Sequence, residues 1–556
     1  MAARTATLSL GNDGQLYVDF RYDPLLVEAI KRIDIRARFH GETRTWSFPA
    51  ETFIAERLVD LFGLDHPKLS PAIRQLLPVR EPIRQPASLS VIDGYDWITE
   101  PYQHQRQGLA DLLVNDRFLL AWDMGTGKTK VIADRIRHGW ETADIESALI
   151  LCPKSVMSVW HRQLQEHAGL HSWSLDGTRA QRLSALTASR GRLCIINYDG
   201  LASIADQLAP YSWDCLVADE VQFLKNATAK RSKLARKLRA KYRYALSGTP
   251  APNSPLDWFG VLMFLDPNGQ LAGTRYKTAF EARYAVWRKL ENGGHMVVAY
   301  TNISDLRTRV SNVSSRVEKA DCLDLPEKVF VTRTCRLAGE QARVYREMRR
   351  QAVTRLKAVQ EESQLTATNI LTEALRLVQI TGGCVPDDAG RKHTFDPNAK
   401  ICLFLEVLEE IGLDEPLVVW CSFRDELAAI TELLSGLAYN VRTLTGDTSA
   451  EERQAAIDDF RTGKASAFVA MVQAGGVGID GLQVRCSIEV FYSRTYNLSH
   501  WLQAQDRLHR LGQRQRVTVI SLVAEGTIDE KIGAALDAKQ GLMEAMMRTT
   551  DPENLL

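Results

Sequence analysis

The chain has 556 residues, 45% hydrophobic and 25% charged, with 69 Lys and Arg against 68 Asp and Glu. These are ordinary values for globular proteins, and they exclude wholesale disorder and fibrous or collagen-like structure. At roughly 150 residues per domain, we expect three or four domains. The formal net charge of +1 excludes binding to nucleic acid through the overall charge of the chain. A site for a polyanion therefore has to be a local basic patch.

The cysteines and the hydropathy favour the interior of a cell. The nine cysteines include no Cys-x-x-Cys pair, which argues against a disulfide framework and against a structural zinc site. No run of 18 apolar residues predicts a membrane span, and no signal peptide is evident. We therefore expect no membrane partner and an intracellular setting. The compactness of the chain favours the cytoplasm of a bacterium or of a virus-infected bacterial cell.

Residues 1–85 are predicted to form a small α+β module, because a segment with several prolines follows them as a linker. An apolar helical pattern covers Leu25–Ile33, and two strand patterns, Ile35–Phe39 and Thr45–Pro49, flank a turn and predict a hairpin. Cations alternate with aromatic residues here, which suits phosphate contact and base stacking. The alternative is a small domain with a charged surface and ordinary core aromatics. The candidate DNA contacts are Arg36, Arg38 and Trp46.

From about residue 95, short and almost entirely apolar runs alternate with helical patterns, as expected for strands buried on both faces of a parallel sheet. Two such sets imply two α/β lobes. We place the first lobe at 95–337 with a helical insertion at about 266–320, a second helical insertion at 338–395, and the second lobe at 396–556. The predicted strands are Arg117–Ala121, Ala148–Cys152, Leu193–Asn197, Cys215–Ala218, Tyr244–Ser247, Pro416–Cys421, Val441–Leu444, Ala467–Met471, Ser487–Phe491 and Val517–Val523.

The strongest local pattern stands between the first of these strands and a helical pattern at Lys130–Arg137. Its glycines let the backbone wrap around phosphates, and the helix N-terminus adds partial positive charge. Lys128 is expected to reach the β- and γ-phosphates, and the Thr129 hydroxyl to hold Mg²⁺. The full pattern has glycine where this chain has Trp122. The residues predicted to bind ATP are Met124, Gly125, Thr126, Gly127, Lys128 and Thr129.

Two carboxylates follow the apolar strand Cys215–Ala218. Asp219 is expected to hold Mg²⁺, and Glu220 to orient and deprotonate the attacking water. Alone, such a pair is more often a solvated strand end, and only the phosphate-binding loop upstream favours the catalytic interpretation.

Two arginines, Arg507 and Arg510, are three residues apart, and on a helix they would share a face. Pointed from the second lobe at phosphates held by the first, they would act as arginine fingers. The alternative is a surface helix with ordinary ion pairs.

These segments, in this order, resemble the Swi/Snf-type ATPases of helicase superfamily two from about residue 100 to residue 556. The N-terminal hairpin resembles the HARP module of annealing helicases. The segments that carry the first resemblance are His104–Leu109, Cys152–Ser155 with Trp160, Leu246–Pro250, Thr445–Asp447, Gly475–Asp480, Arg507–Gln513 and Gly526–Ile532.

The resemblance implies roles for residues that the patterns alone leave open. It places Gln105 on the adenine and makes Lys154 and Ser155 contacts to nucleic acid. It assigns coupling between hydrolysis and lobe movement to Ser247, Thr249 and Gln503. It sets Gly478 and Asp480 between DNA and nucleotide.

The sequence departs from the family pattern in several places. Many relatives have Asp-Glu-Ala-His where this chain has Asp219-Glu220-Val221-Gln222. The two catalytic carboxylates remain, so hydrolysis is still expected, whereas coupling through Gln222 is expected to differ. Leu498 stands where the family has proline, and Asp480 where it has asparagine.

The resemblance implies two RecA-like lobes that bind ATP and Mg²⁺ between them and use hydrolysis to move along double-stranded DNA. The HARP-like module favours remodelling or annealing of forked or branched DNA. Two alternatives stay open. One is a strand-separating DNA or RNA helicase, and the other, less favoured, is a nucleotide-gated DNA-binding scaffold without turnover.

Overall fold

The structure of the chain is a computed structural model. It describes residues 6–11, 13–20, 36–50, 69–76, 85–289, 295–361, 367–386, 391–475 and 479–547, and the single residues 27, 30, 33, 54, 55, 58 and 59. No helix within these ranges is long and apolar enough to cross a membrane. The helix predicted at Leu25–Ile33 lies mostly outside the described residues.

Strands and helices alternate along most of the described chain. The strands are β1 (Ala6–Leu10), β2 (Gln15–Phe20), β3 (Arg38–His40), β4 (Thr45–Pro49), β5 (Arg117–Leu120), β6 (Ala148–Cys152), β7 (Trp173–Ser174), β8 (Leu193–Asn197), β9 (Ser212–Asp219), β10 (Arg239–Leu246), β11 (Ala285–Lys289), β12 (His295–Tyr300), β13 (Ser314–Ser315), β14 (Lys328–Cys335), β15 (Cys384–Pro386), β16 (Lys392–Thr394), β17 (Leu417–Cys421), β18 (Val441–Leu444), β19 (Ala467–Met471), β20 (Ile488–Phe491) and β21 (Val517–Ala524). The helices are α1 (Pro71–Leu76), α2 (Gln103–Val114), α3 (Lys128–Glu141), α4 (Met157–Ala168), α5 (Arg179–Ser189), α6 (Ala205–Leu208), α7 (Lys230–Lys237), α8 (Trp258–Leu265), α9 (Lys277–Tyr284), α10 (Ile303–Ser311), α11 (Lys319–Cys322), α12 (Gly339–Glu361), α13 (Ala367–Gly382), α14 (Ala399–Ile411), α15 (Arg424–Gly436), α16 (Ala450–Arg461), α17 (Val472–Gly475), α18 (Leu498–Gln505) and α19 (Ile528–Met547).

The N-terminal module is a four-stranded antiparallel sheet in the order β1-β2-β4-β3. The predicted hairpin is confirmed as β3 and β4, with Arg38 opposite Ser47, and β1 and β2 extend it beyond the prediction. The inward side chains of β2 and β4, among them Leu16 and Phe48, form the core of this module.

The first lobe is a parallel sheet in the order β13-β5-β10-β9-β6-β8-β7. All five predicted strands are confirmed, and they are the five central ones. Both faces of β6 are packed, with Leu149 and Leu151 in one core cluster and Ile150 in the other. This two-sided burial explains the continuous apolar runs in the sequence.

The second lobe is also a parallel sheet, in the order β14-β21-β20-β17-β19-β18. Its five predicted strands are confirmed. The predicted lobe boundary is wrong, because β14 (Lys328–Cys335) belongs to this sheet and not to the first lobe. As an edge strand, β14 mostly alternates exposed and half-buried residues. It therefore lacks the continuous apolar run that identifies the other strands.

The insertion at about 266–320, predicted to be helical, contains the helices α9 and α10 and, between them, the antiparallel hairpin β11–β12, which was not predicted. The second insertion, predicted at 338–395 to be helical, contains α12, α13 and the short antiparallel pair β15–β16. The chain crosses from the first lobe to the second between β13 and β14.

Trp122, which stands where the phosphate-loop pattern has glycine, is buried beneath the loop. Its Nε1 donates a hydrogen bond to Ser315 Oγ at 2.9 Å. A β-carbon at Gly108 on α2 would overlap the indole ring. The glycine in the neighbouring helix therefore provides the space that this large side chain needs.

Candidate nucleotide site and interlobe cleft

The loop between β5 and α3 has the backbone of an anion site. Gly125 and Gly127 have φ values of +78° and +83°, a region that side-chain-bearing residues rarely adopt. Gly127 precedes the first turn of α3, so the free N–H groups of that turn face the loop. The loop can therefore bind a phosphate group through its backbone.

Lys128 begins α3 and turns back over the loop. Its Nζ donates hydrogen bonds to the carbonyl oxygens of Trp122 at 2.9 Å and Asp123 at 3.0 Å. Burial lowers its pKa, and the negative charges of Glu220 and Asp219 oppose that shift. The ammonium group thus lies between the loop and the two carboxylates, as its predicted phosphate-binding role requires. Thr126 is buried and its hydroxyl closes the loop on Asp123 O at 2.8 Å.

Gln105 contacts the loop from α2. Its Oε1 accepts a hydrogen bond from Tyr102 N at 3.0 Å, and its Nε2 donates to Thr126 O at 3.1 Å. The side chain is buried. Contact with an adenine would need one of these hydrogen bonds to be exchanged. The exposed ring beside it is Tyr102, which stacks on His104 with centroids 5.8 Å apart.

Asp219 and Glu220 lie at the carboxyl end of β9, in the same sheet as the strand β5 that leads into the phosphate-binding loop, with β10 between the two strands. Asp219 Oδ2 accepts a hydrogen bond from Trp160 Nε1 at 2.8 Å, and Oδ1 accepts one from Glu220 N at 2.9 Å. Burial, together with the negative charge of Glu220, raises the pKa of Asp219. Trp160 is buried, and through this hydrogen bond it orients the Asp219 carboxylate.

Glu220 has a left-handed backbone, with φ at 51° and ψ at 55°. Non-glycine residues in this region are strained by about 1–3 kcal/mol, and such residues cluster at functional sites. This backbone leads directly into the single 3₁₀ turn Val221–Leu224, so Glu220 stands at the junction between β9 and that turn.

Four hydrogen bonds connect Glu220 to the second lobe. Gln222 Nε2 donates to Glu220 Oε2, and Ser247 Oγ donates to Gln222 Oε1, both at 2.6 Å. Thr249 N donates to Ser247 Oγ at 2.9 Å, and Thr249 Oγ1 meets Ser499 Oγ at 2.9 Å. Gln222 therefore takes the fourth position of the acidic motif, and Ser499 is a functional residue that the sequence did not single out.

The two arginines follow α18 on a turn, because the helix ends at Gln505; the prediction of a shared helix face is wrong. They still converge, since Nη1 of Arg507 and Nη1 of Arg510 both donate to Ile479 O, at 2.8 and 3.2 Å. Burial, with the repulsion from Arg510, lowers the pKa of Arg507 to about 10.

The turn at residues 506–510, here called the arginine turn, lies against the phosphate-binding loop. A β-carbon added to Gly125 would lie 3.8 Å from Cβ of Arg510. Arg510 also forms an ion pair with Asp480 at 3.4 Å. Gln503 is buried on α18, and Gly478 lies outside the described residues.

The predicted Mg²⁺ ligands fit the ion. Asp219 and Glu220 place two negative charges side by side, and burial disfavours this unless further positive charge is supplied. Thr129 is half-buried in the first turn of α3. Its hydroxyl and the Asp219 carboxylate are oxygen ligands of the kind that Mg²⁺ prefers.

A cleft of about 1360 Å³ opens between the two lobes on the other side of the arginine turn. The first lobe contributes Lys154, Ser155 and Phe223, and the second contributes Thr448 and Arg453. Lys154 is 71% exposed and lies 3.8 Å from Asp176. The two residues predicted from the motif are therefore available to a ligand in this cleft.

Trp46 is not available as a stacking surface, which corrects its prediction as a DNA contact. It is only 7% exposed and belongs to the core of the N-terminal sheet. Phe39, 5.3 Å from it between centroids, is 55% exposed. Arg36 and Arg38 are exposed on the same module.

Comparison with known proteins agrees with this geometry. The SNF2-related domain matches residues 97–383, more than half of the chain, and the helicase conserved C-terminal domain matches residues 399–512. The chain belongs to the SNF2-related family. The first match covers the sheet of the first lobe and continues through β14 to the end of α13, and the second match lies within the second lobe.

Three relatives and structures illustrate the likeness. The uncharacterized ATP-dependent helicase MG018 of Mycoplasma genitalium is 24% identical, over 81% of this chain and 41% of its own length. Protein p41 of Acyrthosiphon pisum secondary endosymbiont phage 1 is 25% identical, over 81% of this chain and 98% of its own. The Sulfolobus solfataricus SWI2/SNF2 ATPase core in complex with dsDNA is 23% identical, with 85% of this chain and 98% of that chain covered and a TM-score of 0.39. The chain spans less than half the length of MG018.

Proposed function

We propose that this SNF2-family protein hydrolyses ATP between its two lobes and uses the cycle to move along double-stranded DNA. The observation that carries the proposal is the contact of Gly125 with Arg510 across the lobes, at a loop whose Lys128 is attracted by the charges of Glu220 and Asp219. A phosphate-binding loop, two carboxylates and an arginine from a second lobe are the parts that hydrolysis of a nucleoside triphosphate needs.

Each residue has a part in the reaction. The backbone around Gly125 and Gly127 binds the phosphates, and Lys128 moves from the loop carbonyls onto them. Mg²⁺ held by Thr129 and Asp219 would neutralise phosphate charge. Glu220 takes a proton from the attacking water, while Arg510 stabilises the charge that develops in the transition state.

The hydrogen-bonded chain from Glu220 to Ser499 supports coupling between hydrolysis and lobe movement. A change at the Glu220 carboxylate alters the partner of Gln222, and through Ser247 and Thr249 it alters a contact made across the lobes. Such a chain gives the lobes two arrangements with different energies, which is what a motor requires.

The cleft between the lobes supports a polyanionic track. Lys154 and Arg453 line this cleft from different lobes, so a phosphate backbone bound to both would shift when the lobes move. A mouse relative, 24% identical, is a SWI/SNF-related regulator of chromatin, which supports duplex DNA as this track. We further propose that the exposed Arg38 and Phe39 contact forked or branched DNA.

Phosphate release measured without DNA and with single-stranded, duplex and forked DNA tests the proposal, with Lys128→Ala as the inactive control. We expect duplex DNA to stimulate turnover and forked DNA to stimulate it further. Strand displacement separates translocation from unwinding, because a translocase displaces a bound third strand without separating the duplex. Absence of turnover under all four conditions would favour a nucleotide-gated scaffold instead.

A further inference from the structure

The chain that crosses between the lobes holds the arginine turn at several points. Lys319 Nζ forms an ion pair with Asp506 Oδ1 at 2.7 Å and donates to His509 O at 2.8 Å. Further along, His509 Nε2 meets Pro326 O at 2.9 Å, and Lys328 Nζ donates to Gln505 Oε1 at 2.8 Å. The turn that carries both arginines is therefore held by the crossing chain, from Lys319 to Lys328 at the start of β14.

The same segment is fixed to the phosphate-binding loop. Asp123 N donates to Val317 O at 2.9 Å, which continues the pairing of β13 with β5. The two carboxylate oxygens of Asp123 accept hydrogen bonds from Arg316 Nη2 at 2.6 Å and from Lys319 N at 3.1 Å. The backbone of Lys319 is thus hydrogen-bonded to the first lobe, while its side-chain ammonium group contacts the second lobe.

Lys319 lies directly over the loop. A β-carbon added to Gly125 would be 3.6 Å from Lys319 Cε and 3.8 Å from Arg510 Cβ. The Lys319 side chain is only 8% exposed and that of Asp506 is 19% exposed. Solvent therefore screens this ion pair far less than a surface pair, and removing one partner leaves the other charge buried and unpaired.

We propose that Lys319 is a positioning residue that holds the arginine turn over the phosphate-binding loop through its ion pair with Asp506. Arg507 and Arg510 repel each other, and Lys319 connects the turn that carries them to the first lobe, where the phosphate-binding loop lies. Asp506 is the acidic residue within that turn, and Lys319, whose backbone is bound to the first lobe, forms an ion pair with it. Since a shift of about 1 Å in a catalytic group can reduce a rate about 10²-fold, the ion pair between Lys319 and Asp506 controls turnover.

The proposal rests on the proposed ATPase function, and its test uses the full-length protein. Lys319→Ala and Asp506→Asn are compared with Arg336→Ala. Arg336 is 86% exposed and forms an ion pair with Glu525 at 2.7 Å outside the site, so this variant controls for the loss of an ion pair. We expect the first two variants to lose about 10²-fold in kcat, with ATP affinity within a few-fold of wild type. Lys319→Arg should recover part of the loss.

Binding of ADP with aluminium fluoride, which mimics the transition state, provides a readout that a loss of folding would not imitate. We expect Lys319→Ala to weaken this mimic while ADP alone binds as before. The double variant should lose no more than either single variant, because both remove the same contact. A wild-type kcat in Lys319→Ala, or equal losses for ADP and the mimic, would overturn the proposal. Absence of turnover in the wild-type protein would instead overturn the ATPase function itself.

Discussion

Thr249 Oγ1 and Ser499 Oγ lie 2.9 Å apart, and this pair of hydroxyls is where the hydrogen-bonded chain from Glu220 crosses from one lobe to the other. Both residues are buried, so water does not readily replace either partner. If this contact transmits the state of the carboxylate, its loss should separate hydrolysis from movement.

Ser499→Ala tests this separation. Coupling energies of about 0.5–2 kcal/mol between sites predict that movement per ATP falls by a factor of about 2–30 while DNA-stimulated ATP hydrolysis persists. Third-strand displacement and phosphate release, measured on the same samples, give the ratio. Ser435→Ala, on the opposite side of the second lobe in α15, serves as the control. A parallel fall in both activities would show that the hydroxyl pair supports the site and does not transmit its state.

Lys128→Ala and Glu220→Gln should fail in different ways. The first removes the phosphate-binding cation, so ATP binding and turnover are both lost. The second keeps the shape of the side chain and leaves Asp219 to hold the metal, so ATP still binds but hydrolysis is lost. Equilibrium binding of a fluorescent ATP analogue and phosphate release distinguish the two. Turnover at the wild-type rate in Glu220→Gln would show that another group takes the proton.

Arg510→Ala should reduce kcat by about 10³-fold or more, since an arginine finger acts on transition-state charge. ATP affinity should stay within a few-fold of wild type. Arg507 shares the acceptor Ile479 O with Arg510, so Arg507→Ala is measured beside it to rank the two. A variant that loses ATP affinity but hydrolyses normally at saturation would contradict the finger assignment.

The N-terminal module should be dispensable for turnover but not for forked DNA. Deletion of residues 1–85 is expected to leave duplex-stimulated hydrolysis largely intact and to reduce activity on forks. The paired variant Arg38→Ala with Phe39→Ala should do the same, because a stacking ring contributes about 1–3 kcal/mol per base. Trp46→Ala is the structural control and should lower the free energy of unfolding of the module by about 3–5 kcal/mol. Fork activity that survives both changes would assign the module a structural part only.

Glu489 should make the second lobe less stable at high pH. Its side chain is fully buried in β20, and burial raises its pKa to about 8, against the attraction of Lys328. A carboxyl whose pKa is higher in the folded state contributes stability at low pH that is lost as pH rises through the folded pKa. The melting temperature of the wild-type protein should therefore fall more than that of Glu489→Gln between the ordinary carboxyl pKa of 4.5 and the folded pKa of about 8. The same slope in both proteins would contradict this assignment.

The sequence predicts the parts of the fold whose burial is two-sided. Strands such as β6 and β19 are apolar throughout, and their bounds match the prediction to the residue. The two-residue β13 and the edge strand β14 carry no such pattern. The sequence therefore places the start of the second lobe after β14, although β14 belongs to its sheet. The N-terminal hairpin was recognisable from its turn, but β1 and β2 were not.

The residues of the candidate site also fall into those that the sequence predicts and those that it does not. Residues contiguous in the chain, such as the loop around Lys128 and the pair Asp219 and Glu220, are visible as motifs. Trp160, Ser499 and Lys319 act through partners far along the chain, and one sequence gives no indication of such pairs. Trp46 shows the opposite error, because an aromatic residue among cations looks the same in sequence whether its ring is exposed or buried.

Trp122 and Gly108 have a consequence for how this protein can change over time. Because the indole occupies the space that a β-carbon at position 108 would need, neither position can mutate freely while the other stays as it is. Related chains with glycine at the position of Trp122 should tolerate alanine or larger residues at the position of Gly108, whereas chains that keep the tryptophan should not. The two positions should therefore vary together across related sequences, even though one lies in a helix and the other at the start of the phosphate-binding loop.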